Sequence, residues 1–298
     1  MLYRTDSRLG LVQGKSHNGK QAFFFKCAYS FLESQVSAVK SLFITNHLLN
    51  SLSKPQHKWF LSHSTTIHLE FGEVLYNADD EMKYVYFPLS GFISLLVDIV
   101  DAPSIEMGLV GNEGMLGATL ALGNNHAPMQ SIVQGSGSAL KMDAEVFDQC
   151  LETNAPLREL IHSYLYVVSL QLAQMGACNC FHAIQQRLAR WLLMSHDRAH
   201  SNQFYLTHEF LAKMLGVRRS SITIAASILQ HQGLITYSRG QIKIMSREGL
   251  ESASCSCYGA AIDVYNKNIT RPSGQTKVNE PVNTIKIGKP LKQDRSKA

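Results

Sequence analysis

The sequence lacks any run of about 18 apolar residues, which is the length that a membrane-spanning helix requires. Its most apolar stretch near the start, AFFFKCAYSFL, is interrupted by Lys26 and has no small-residue cleavage pattern. We therefore expect a protein that neither contacts a membrane nor is secreted, and that works in the cytoplasm.

The sequence also lacks the short motifs of common enzyme chemistries. It has no GxSxG, no HExxH and no phosphate-binding loop that ends in Gly-Lys-Ser/Thr. The GNEGMLG stretch at 111–117 has GxxGxxG spacing, and strand patterns rather than a strand and a helix surround it. We therefore predict that the protein is not an enzyme.

The six cysteines do not show the CxxC spacing of zinc sites and redox motifs. Four of them form two CxC pairs, Cys178 with Cys180 and Cys255 with Cys257. Free thiols are the default state of cysteine inside cells. The sequence therefore predicts no metal ligand and no cofactor.

Acidic residues are distributed unevenly along the chain. Residues 182–250 carry nine basic and three acidic side chains, whereas residues 51–181 carry five basic and 14 acidic ones. The net charge of +5 hides this asymmetry. A basic block suits a polyanion such as DNA, and its acidic neighbour should face away from one.

The basic block contains two helical patterns that are separated by Gly216. Apolar residues recur at helical spacing at Phe210, Leu211, Met214 and Leu215, and again at Ile222, Ala225, Ala226 and Leu229. Because glycine tolerates a left-handed conformation, Gly216 allows the sharp reversal of a helix-turn-helix. Two alternating segments follow around Ser238-Arg239-Gly240 and predict a hairpin, so the whole unit is a winged helix-turn-helix.

Side chains at the start of the second helix, which we place at about 219–232, are the candidate DNA contacts. Arg218, Arg219, Ser220 and Ser221 place guanidiniums and hydroxyls where a major groove presents phosphates and base edges. Thr223 joins this surface, and Arg239 at the tip of the hairpin is expected to touch the DNA backbone. Arg218 stands where a small capping residue is usual, which favours a phosphate contact over a capping role.

Upstream of this unit, short strand-like runs separated by glycines extend from about residue 47 to residue 142. They predict a barrel or roll. Pro156 then opens a long helical pattern, which Asn179-Cys180-Phe181 ends. One seam of this helix suggests the interface of a homodimer, or alternatively packing against the chain's own roll: Leu157, Ile161, Tyr164, Val168 and Met175.

The predicted fold class is α+β, with five segments. Residues 1–46 form a poorly defined extension, 47–154 a jelly-roll-like β-roll, and 155–181 the long dimerisation helix and hinge. Residues 182–258 form the winged helix-turn-helix domain, and 259–298 a polar, basic and disordered tail.

This order of elements resembles the Crp/Fnr family of bacterial transcription regulators. The resemblance covers about residues 47–258 and is carried by FGEVLY, VYFPLSGFISLL and GNEGMLG in the roll, and by QRLARWLLMSHDR and LTHEFLAKMLGVRRSS in the DNA-binding half. It implies a β-roll of the cyclic-nucleotide-binding type, a dimer formed through the long helix, a palindromic operator, and RNA polymerase as a partner.

The resemblance also places an effector pocket in the roll, but with departures from the pattern of cyclic-nucleotide binders. The pocket residues are Gly111, Glu113, Gly114, Met115, Leu116, Gly117, Met129 and Gln130. Met129 and Gln130 stand where the family has an arginine and a hydroxyl that bind the cyclic phosphate, and a buried phosphate needs such a cation. We therefore expect DNA binding that does not require cAMP, and the effector remains unknown.

Other sensing chemistries of the family find little support in the residues. The iron-sulfur branch uses several N-terminal cysteines, whereas only Cys27 precedes Cys150 here. A haem would need one of four histidines as a ligand, namely His57, His63, His68 or His126. The alternative function is a nucleotide- or redox-responsive signalling module that binds a small effector without controlling transcription directly. The cations at 218, 219 and 239 argue against that alternative, since a pure sensor has no use for them.

Overall fold

A computed structural model describes residues 46–199 and 201–269. The helices are α1 His47–Asn50, α2 Lys54–Ser62, α3 Ala144–Thr153, α4 Ala155–Phe181, α5 Ile184–Ala199, α6 His208–Leu215, α7 Arg219–His231, α8 Arg247–Ala253 and α9 Cys257–Ile269. The strands are β1 Thr65–Leu69, β2 Val74–Tyr76, β3 Tyr84–Ile99, β4 Ala102–Val110, β5 Gln130–Asp143, β6 Gln203–Tyr205, β7 Ile235–Ser238 and β8 Gln241–Ile244. The fold is of the α+β class, as predicted.

The roll is an antiparallel sheet in the order β1-β5-β3-β4, with β2 paired to the first residues of β5. Its strands are longer than the sequence predicts, because β3 and β5 each run through glycines that resemble turn signals. A Cβ atom at Gly91 would lie 2.8 Å from the Ser136 carbonyl oxygen, so this glycine allows two strands to approach closely. The two long strands therefore bend at their glycines and do not end there.

The first core lies between the roll and the helices α1 to α4. Phe60 from α2, Phe87 from β3 and Phe147 from α3 pack edge to face, with ring centroids 5.6 to 6.4 Å apart. All three side chains are fully buried. Each aromatic side chain buries about 150–250 Å² of surface, so this cluster contributes strongly to the stability of the roll.

The long helix α4 begins where the sequence predicts. Asn154 accepts a hydrogen bond from the Leu157 amide, and Pro156 occupies the first turn, where its missing N–H costs nothing. The helix does not end at Asn179, however, but continues to Phe181. These three residues form the last turn of the helix, where Phe181 is 85% exposed.

The second core joins α5, α6, α7 and the small sheet β6-β8-β7. Trp191 is its largest buried side chain and contacts Phe210 edge to face. Arg187 and Arg190, which the sequence pattern places off the apolar face of α5, are also buried, with 5% and 4% of their surfaces exposed. Leu96 of the roll belongs to this core, so the two cores are in contact.

Helix α9 lies partly in the segment 259–298, for which the sequence predicts a disordered tail. Tyr265 and Ile269 of α9 are buried in the first core, against the roll and α4. Residues 259–269 of the predicted tail are therefore helical, and residues 270–298 lie outside the described residues, as do residues 1–45 of the predicted extension. Among the described helices, none combines the length and the apolarity needed to cross a membrane.

Candidate DNA-binding surface and roll cavity

The helix-turn-helix is built by local capping interactions. The Thr207 hydroxyl accepts a hydrogen bond from the Phe210 amide and starts α6. Gly216 ends α6 in the left-handed region at φ 62°, and its amide donates to the carbonyls of Ala212 and Lys213. The chain then reverses and α7 begins at Arg219. This is the turn that the sequence predicts.

The start of α7 presents the predicted cationic surface. Arg218, Arg219 and Ser220 are exposed, and Ser221 is half-buried. Arg218 occupies the N-cap position, but its side chain makes no capping hydrogen bond, so the guanidinium is not used for capping. The positive end of the α7 dipole and these cations together favour an anionic ligand such as a phosphate.

Thr223 is held in place from α6 and β7. Its hydroxyl lies 2.9 Å from His208 Nδ1 and 3.1 Å from the Arg219 carbonyl oxygen. The imidazole of His208 stacks on Tyr237 at 4.2 Å. Burial, with a smaller effect from the charge of Arg219, lowers the pKa of His208 and favours the neutral ring. Its Nδ1–H can donate to the Thr223 hydroxyl while that hydroxyl donates to the Arg219 carbonyl oxygen. This geometry fixes α7 relative to α6 and β7.

Two apolar side chains on α7 are exposed, which the sequence pattern does not reveal. Ile224 is 63% exposed and Ile228 is 38% exposed, on the side of α7 that faces away from the second core. Their helical spacing resembles that of core positions, which conceals them in the sequence. Apolar side chains at such positions can contact the methyl group of thymine.

The predicted hairpin is present as β7 and β8, with Arg239 at its tip. Arg239 adopts φ 50° and is followed by Gly240 at φ 83°. The sequence pattern did not reveal β6, which pairs with β8 and packs Tyr205 against Gly240. The wing is therefore a three-stranded sheet with an exposed cation at its end.

The turn of the helix-turn-helix rests against the roll. A Cβ atom at Gly216 would lie 2.6 Å from Ile105 Cδ1 of β4. Arg218 and Arg219 line a cleft between this turn and the end of the β3-β4 hairpin, near Ile99 and Pro103. Glycine at 216 is thus required both by backbone conformation and by this close approach.

The roll encloses a cavity of about 90 Å³ between its inner face and α4. Four of the predicted pocket residues line it: Met115, Leu116, Gly117 and Met129. Val168 and Tyr164 of α4 close it. None of the described residues that line it is charged. The volume is well below the roughly 300–1,000 Å³ of pockets that hold drug-sized ligands.

The other four predicted pocket residues lie elsewhere: Gly111, Glu113, Gly114 and Gln130. Glu113 accepts hydrogen bonds from Nε and Nη2 of Arg198 on α5, at 2.9 and 2.6 Å. Both side chains of this ion pair are largely shielded from solvent. Gly114 packs against the Tyr164 ring, and the Gln130 amide donates to Asn77. Glu113 is therefore engaged with the DNA-binding half and does not face the cavity.

A second polar contact between the two cores is fully buried. Glu106 of β4 accepts hydrogen bonds from the Ser94 hydroxyl at 2.7 Å and from the Trp191 indole N–H at 2.8 Å. Burial raises the pKa of Glu106 to about 7, and these two hydrogen bonds together with Arg190 and Arg198 oppose the shift. The carboxyl is therefore poised to change its charge near neutral pH.

The structure places the predicted dimer seam largely inside one chain. Leu157, Ile161 and Tyr164 are buried in the first core, and Met175 is buried beside Arg190. Val168 is half-buried at the roll cavity. The first three side chains and Val168 thus pack against the chain's own roll, as in the alternative interpretation of the pattern, whereas Met175 packs against α5.

Two sequence profiles match the chain and together cover more than half of it. The cyclic nucleotide-binding domain matches residues 66–154, and the Crp-like helix-turn-helix domain matches residues 186–253. A search of curated proteins found no match.

Several solved structures share the fold. A Crp/Fnr-family regulator from Eubacterium rectale superposes with a TM-score of 0.56 at 20% identity, over 69% of this chain and 96% of its own. FixK2 from Bradyrhizobium japonicum superposes with a TM-score of 0.55 at 15% identity, over 65% of this chain and 98% of its own. CLP from Xanthomonas campestris, a regulator that responds to c-di-GMP, superposes with a TM-score of 0.52 at 17% identity, over 63% of this chain and 97% of its own. At these identities the likeness establishes the fold alone.

Proposed function

Since the chain belongs to the Crp/Fnr family of transcription regulators, we propose that it binds a palindromic operator as a homodimer, through α7 and the wing. The observation that carries this proposal is the exposed start of α7, where two arginines and two serines lie at the N-terminus of the helix. RNA polymerase as a partner remains a prediction from the family resemblance.

Within this surface, we assign base recognition to Arg219, Ser220 and the two exposed isoleucines, and phosphate contacts to Arg218, Ser221 and Arg239. Arg219 is exposed in the first turn, where a guanidinium reaches guanine in the major groove. Ile224 and Ile228 extend the same exposed side along α7. Thr223 has a positioning role, because its hydroxyl is already bonded to His208 and the helix backbone.

Arg219→Ala should relax the sequence preference of the protein. Losing a bidentate guanidinium-guanine pair costs about 1–3 kcal/mol on the specific site and much less on random DNA. The measurement is the ratio of specific to non-specific affinity, after the operator has been obtained by selecting genomic fragments with the purified protein. An unchanged ratio would show that Arg219 does not recognise a base.

Arg239→Ala is the matched control, because it removes the same charge from the wing tip. We expect it to weaken specific and random DNA alike and to reduce the slope of log affinity against log salt by about 1. If its effect were confined to the operator, the wing and not α7 would provide base recognition.

For the dimer, we propose an interface on the exposed side of α4 instead of the buried seam. Exposed residues recur there at alternating spacings of three and four: Tyr166, Ser169, Ala173 and Gly176, with Ala177 adjacent. This is the spacing of a two-helix coiled coil, and the small side chains allow two backbones to approach closely. A Cβ atom at Gly176 would meet nothing within 4 Å in one chain, so space for a partner is available.

For the roll, we propose that DNA binding does not depend on cAMP. A cyclic nucleotide brings a phosphate, whereas the cavity is small and its described lining is uncharged. The Glu113 carboxylate, which could otherwise accept a hydrogen bond from a ribose hydroxyl, is bound to Arg198. The cost of placing a phosphate there without a cation is on the order of 1.5–3 kcal/mol in lost charge-assisted bonding alone.

Calorimetric titration with cAMP and with cGMP should therefore give no binding in the micromolar range. Operator affinity, measured in parallel, should be the same with and without either nucleotide. Micromolar cAMP binding that also tightens operator binding would overturn this part of the proposal while leaving the DNA-binding assignment intact.

A further inference from the structure

The structure brings together three cysteines and a histidine that are far apart in the sequence. Cys178 lies in the last turn of α4. His182 lies four residues further on and is the residue that directly follows the helix. Cys255 precedes α9, and Cys257 is its first residue. The four potential ligand atoms all lie within 4.8 Å of one another. The cluster joins the end of α4 to the start of α9.

Three of the six ligand-to-ligand distances within the cluster match tetrahedral coordination, and the other three are no longer than 4.8 Å. Zinc-sulfur bonds of about 2.3 Å and zinc-nitrogen bonds of about 2.0–2.1 Å at tetrahedral angles give sulfur-sulfur separations of about 3.8 Å and sulfur-nitrogen separations of about 3.6 Å. Cys178 Sγ and Cys255 Sγ are 3.6 Å apart. His182 Nδ1 lies 3.5 Å from Cys178 Sγ and 3.4 Å from Cys257 Sγ. One ion could therefore bond to these four atoms with little movement.

The surroundings of the cluster suit a metal-thiolate centre. All three sulfur-bearing residues are buried, with at most 3% of their surfaces exposed. The side-chain amide of Gln174 donates to Cys257 Sγ at 3.2 Å, as a group that orients a ligand does. Cys180, on the same stretch of α4, is exposed and lies outside the cluster.

Two buried arginines supply compensating charge. Nε of Arg187 and Nε of Arg190 are buried without a hydrogen-bond partner, and neither arginine takes part in an ion pair with a carboxylate within the described residues. Arg190 interacts electrostatically with Cys178 and Cys255, and Arg187 with the same two cysteines. Three thiolates and a neutral imidazole around a divalent ion carry one net negative charge, which an adjacent guanidinium would balance.

We propose that Cys178, His182, Cys255 and Cys257 bind one Zn²⁺ ion. On binding, each of the three thiols exchanges a proton for a bond to the metal, and the imidazole binds through Nδ1 while its proton stays on Nε2. All four positions are filled by protein, as in sites that stabilise a structure rather than catalyse a reaction. The ion ties the hinge between α4 and α5 to α9, and so fixes how the long helix meets the DNA-binding half. The site does not depend on the proposed function.

The site can be tested on the full chain purified under reducing conditions. Metal analysis by mass spectrometry should find one zinc per chain. Replacement by Co²⁺ should give the intense visible absorption of a tetrahedral ion together with sulfur-to-metal charge-transfer bands. In ¹¹³Cd²⁺-loaded protein, the cadmium resonance should report three thiolate ligands and one nitrogen.

Matched variants assign the ligands. Cys257→Ser should lose the zinc and the tetrahedral Co²⁺ spectrum, whereas Cys180→Ser, which changes a neighbouring cysteine outside the cluster, should keep both. Gln174→Ala should keep one metal per chain but weaken its affinity about 10- to 100-fold, measured by competition with a chelator.

Three results would overturn the proposal. The first is wild-type protein that takes up no stoichiometric Zn²⁺ or Co²⁺ although its circular dichroism shows it folded. The second is a Co²⁺ spectrum that survives in Cys257→Ser. The third is a disulfide between Cys178 and Cys255 in the protein as it is isolated from cells. The cadmium spectrum needs no variant, so the test holds even if Cys257→Ser fails to fold.

Discussion

Ala173→Glu should convert the protein into monomers. Ala173 lies in the middle of the exposed stripe of α4, and in a symmetric parallel pair its glutamate would face the glutamate of the second chain. Juxtaposed like charges cost several kcal/mol, which corresponds to a loss of dimer affinity of roughly a hundred-fold or more. Operator affinity should fall with it, because each monomer contacts one half-site only. Analytical ultracentrifugation and a gel-shift assay would measure both effects.

Ala155→Glu provides the control. It introduces the same side chain at the exposed first residue of the same helix, about 27 Å from Ala173 at 1.5 Å per residue, and should leave the dimer intact. Val168→Glu should behave differently again, since Val168 lines the roll cavity. Its charge would be buried inside one chain and would lower Tm. If Ala173→Glu sedimented as an unchanged dimer, the interface would lie elsewhere.

Glu106→Gln should stabilise the protein above neutral pH. In the unfolded chain the carboxyl of Glu106 has its ordinary pKa of 4.5, whereas burial raises the pKa to about 7 in the folded chain. Between these two values the folded state binds more protons than the unfolded state, so stability falls as the pH rises. The loss is complete above pH 7 and is on the order of 3 kcal/mol, because each pKa unit corresponds to about 1.4 kcal/mol.

Glutamine avoids this loss because it carries no charge at any pH. Its amide oxygen can still accept the hydrogen bond from Trp191, and its amide N–H can donate to Ser94. The variant should therefore have the higher Tm at pH 8 and about the same Tm at pH 4.5, as measured by circular dichroism. A difference in Tm that is the same at both pH values would show that folding does not raise the pKa of Glu106.

Glu106→Ala separates charge from hydrogen bonding. It leaves the buried indole N–H of Trp191 without a partner, which costs about 1–3 kcal/mol, and it opens a cavity between the two cores. We expect it to be less stable than wild type at pH 4.5, where glutamate and glutamine behave alike. Equal stability at that pH would mean that water replaces the lost acceptor.

The sequence predicts the helix-turn-helix well because its signals are local. Thr207 caps α6, Gly216 ends it, and both act within a few residues. The ends of the roll strands are harder to predict from the sequence. Gly91 and its partners in β5 resemble turn residues, and only the pairing of distant strands shows that they permit a close crossing.

Burial around α4 could not be predicted, since apolar residues occur on more than one side of this helix. Leu157 and Ile161 fit a dimer seam and a core equally well, and the position of the roll decides between them. The burial of Arg187 could not be predicted either, because a lone arginine in a sequence is typical of a surface, and only the packing of the second core covers it.

The metal-ligand cluster is the clearest case of information that the sequence spacing does not contain. Cys178 and Cys257 belong to two segments that meet only because α9 packs along α4. Since that packing depends on Tyr265 and Ile269 at the far end of α9, no local pattern of cysteines could indicate it. The pairing of Glu113 with Arg198 is hidden for the same reason.

The return of α9 to the roll also constrains the order in which the chain can fold during synthesis. Domains at the N-terminus of a protein generally fold first as they leave the ribosome. Here the Tyr265 hydroxyl donates to the Glu113 carbonyl oxygen at 2.6 Å, across 152 residues of sequence. The first core cannot close until the whole DNA-binding half has been translated. Until then, the apolar surface that α9 covers stays open to solvent, so the nascent roll is a natural substrate for chaperones.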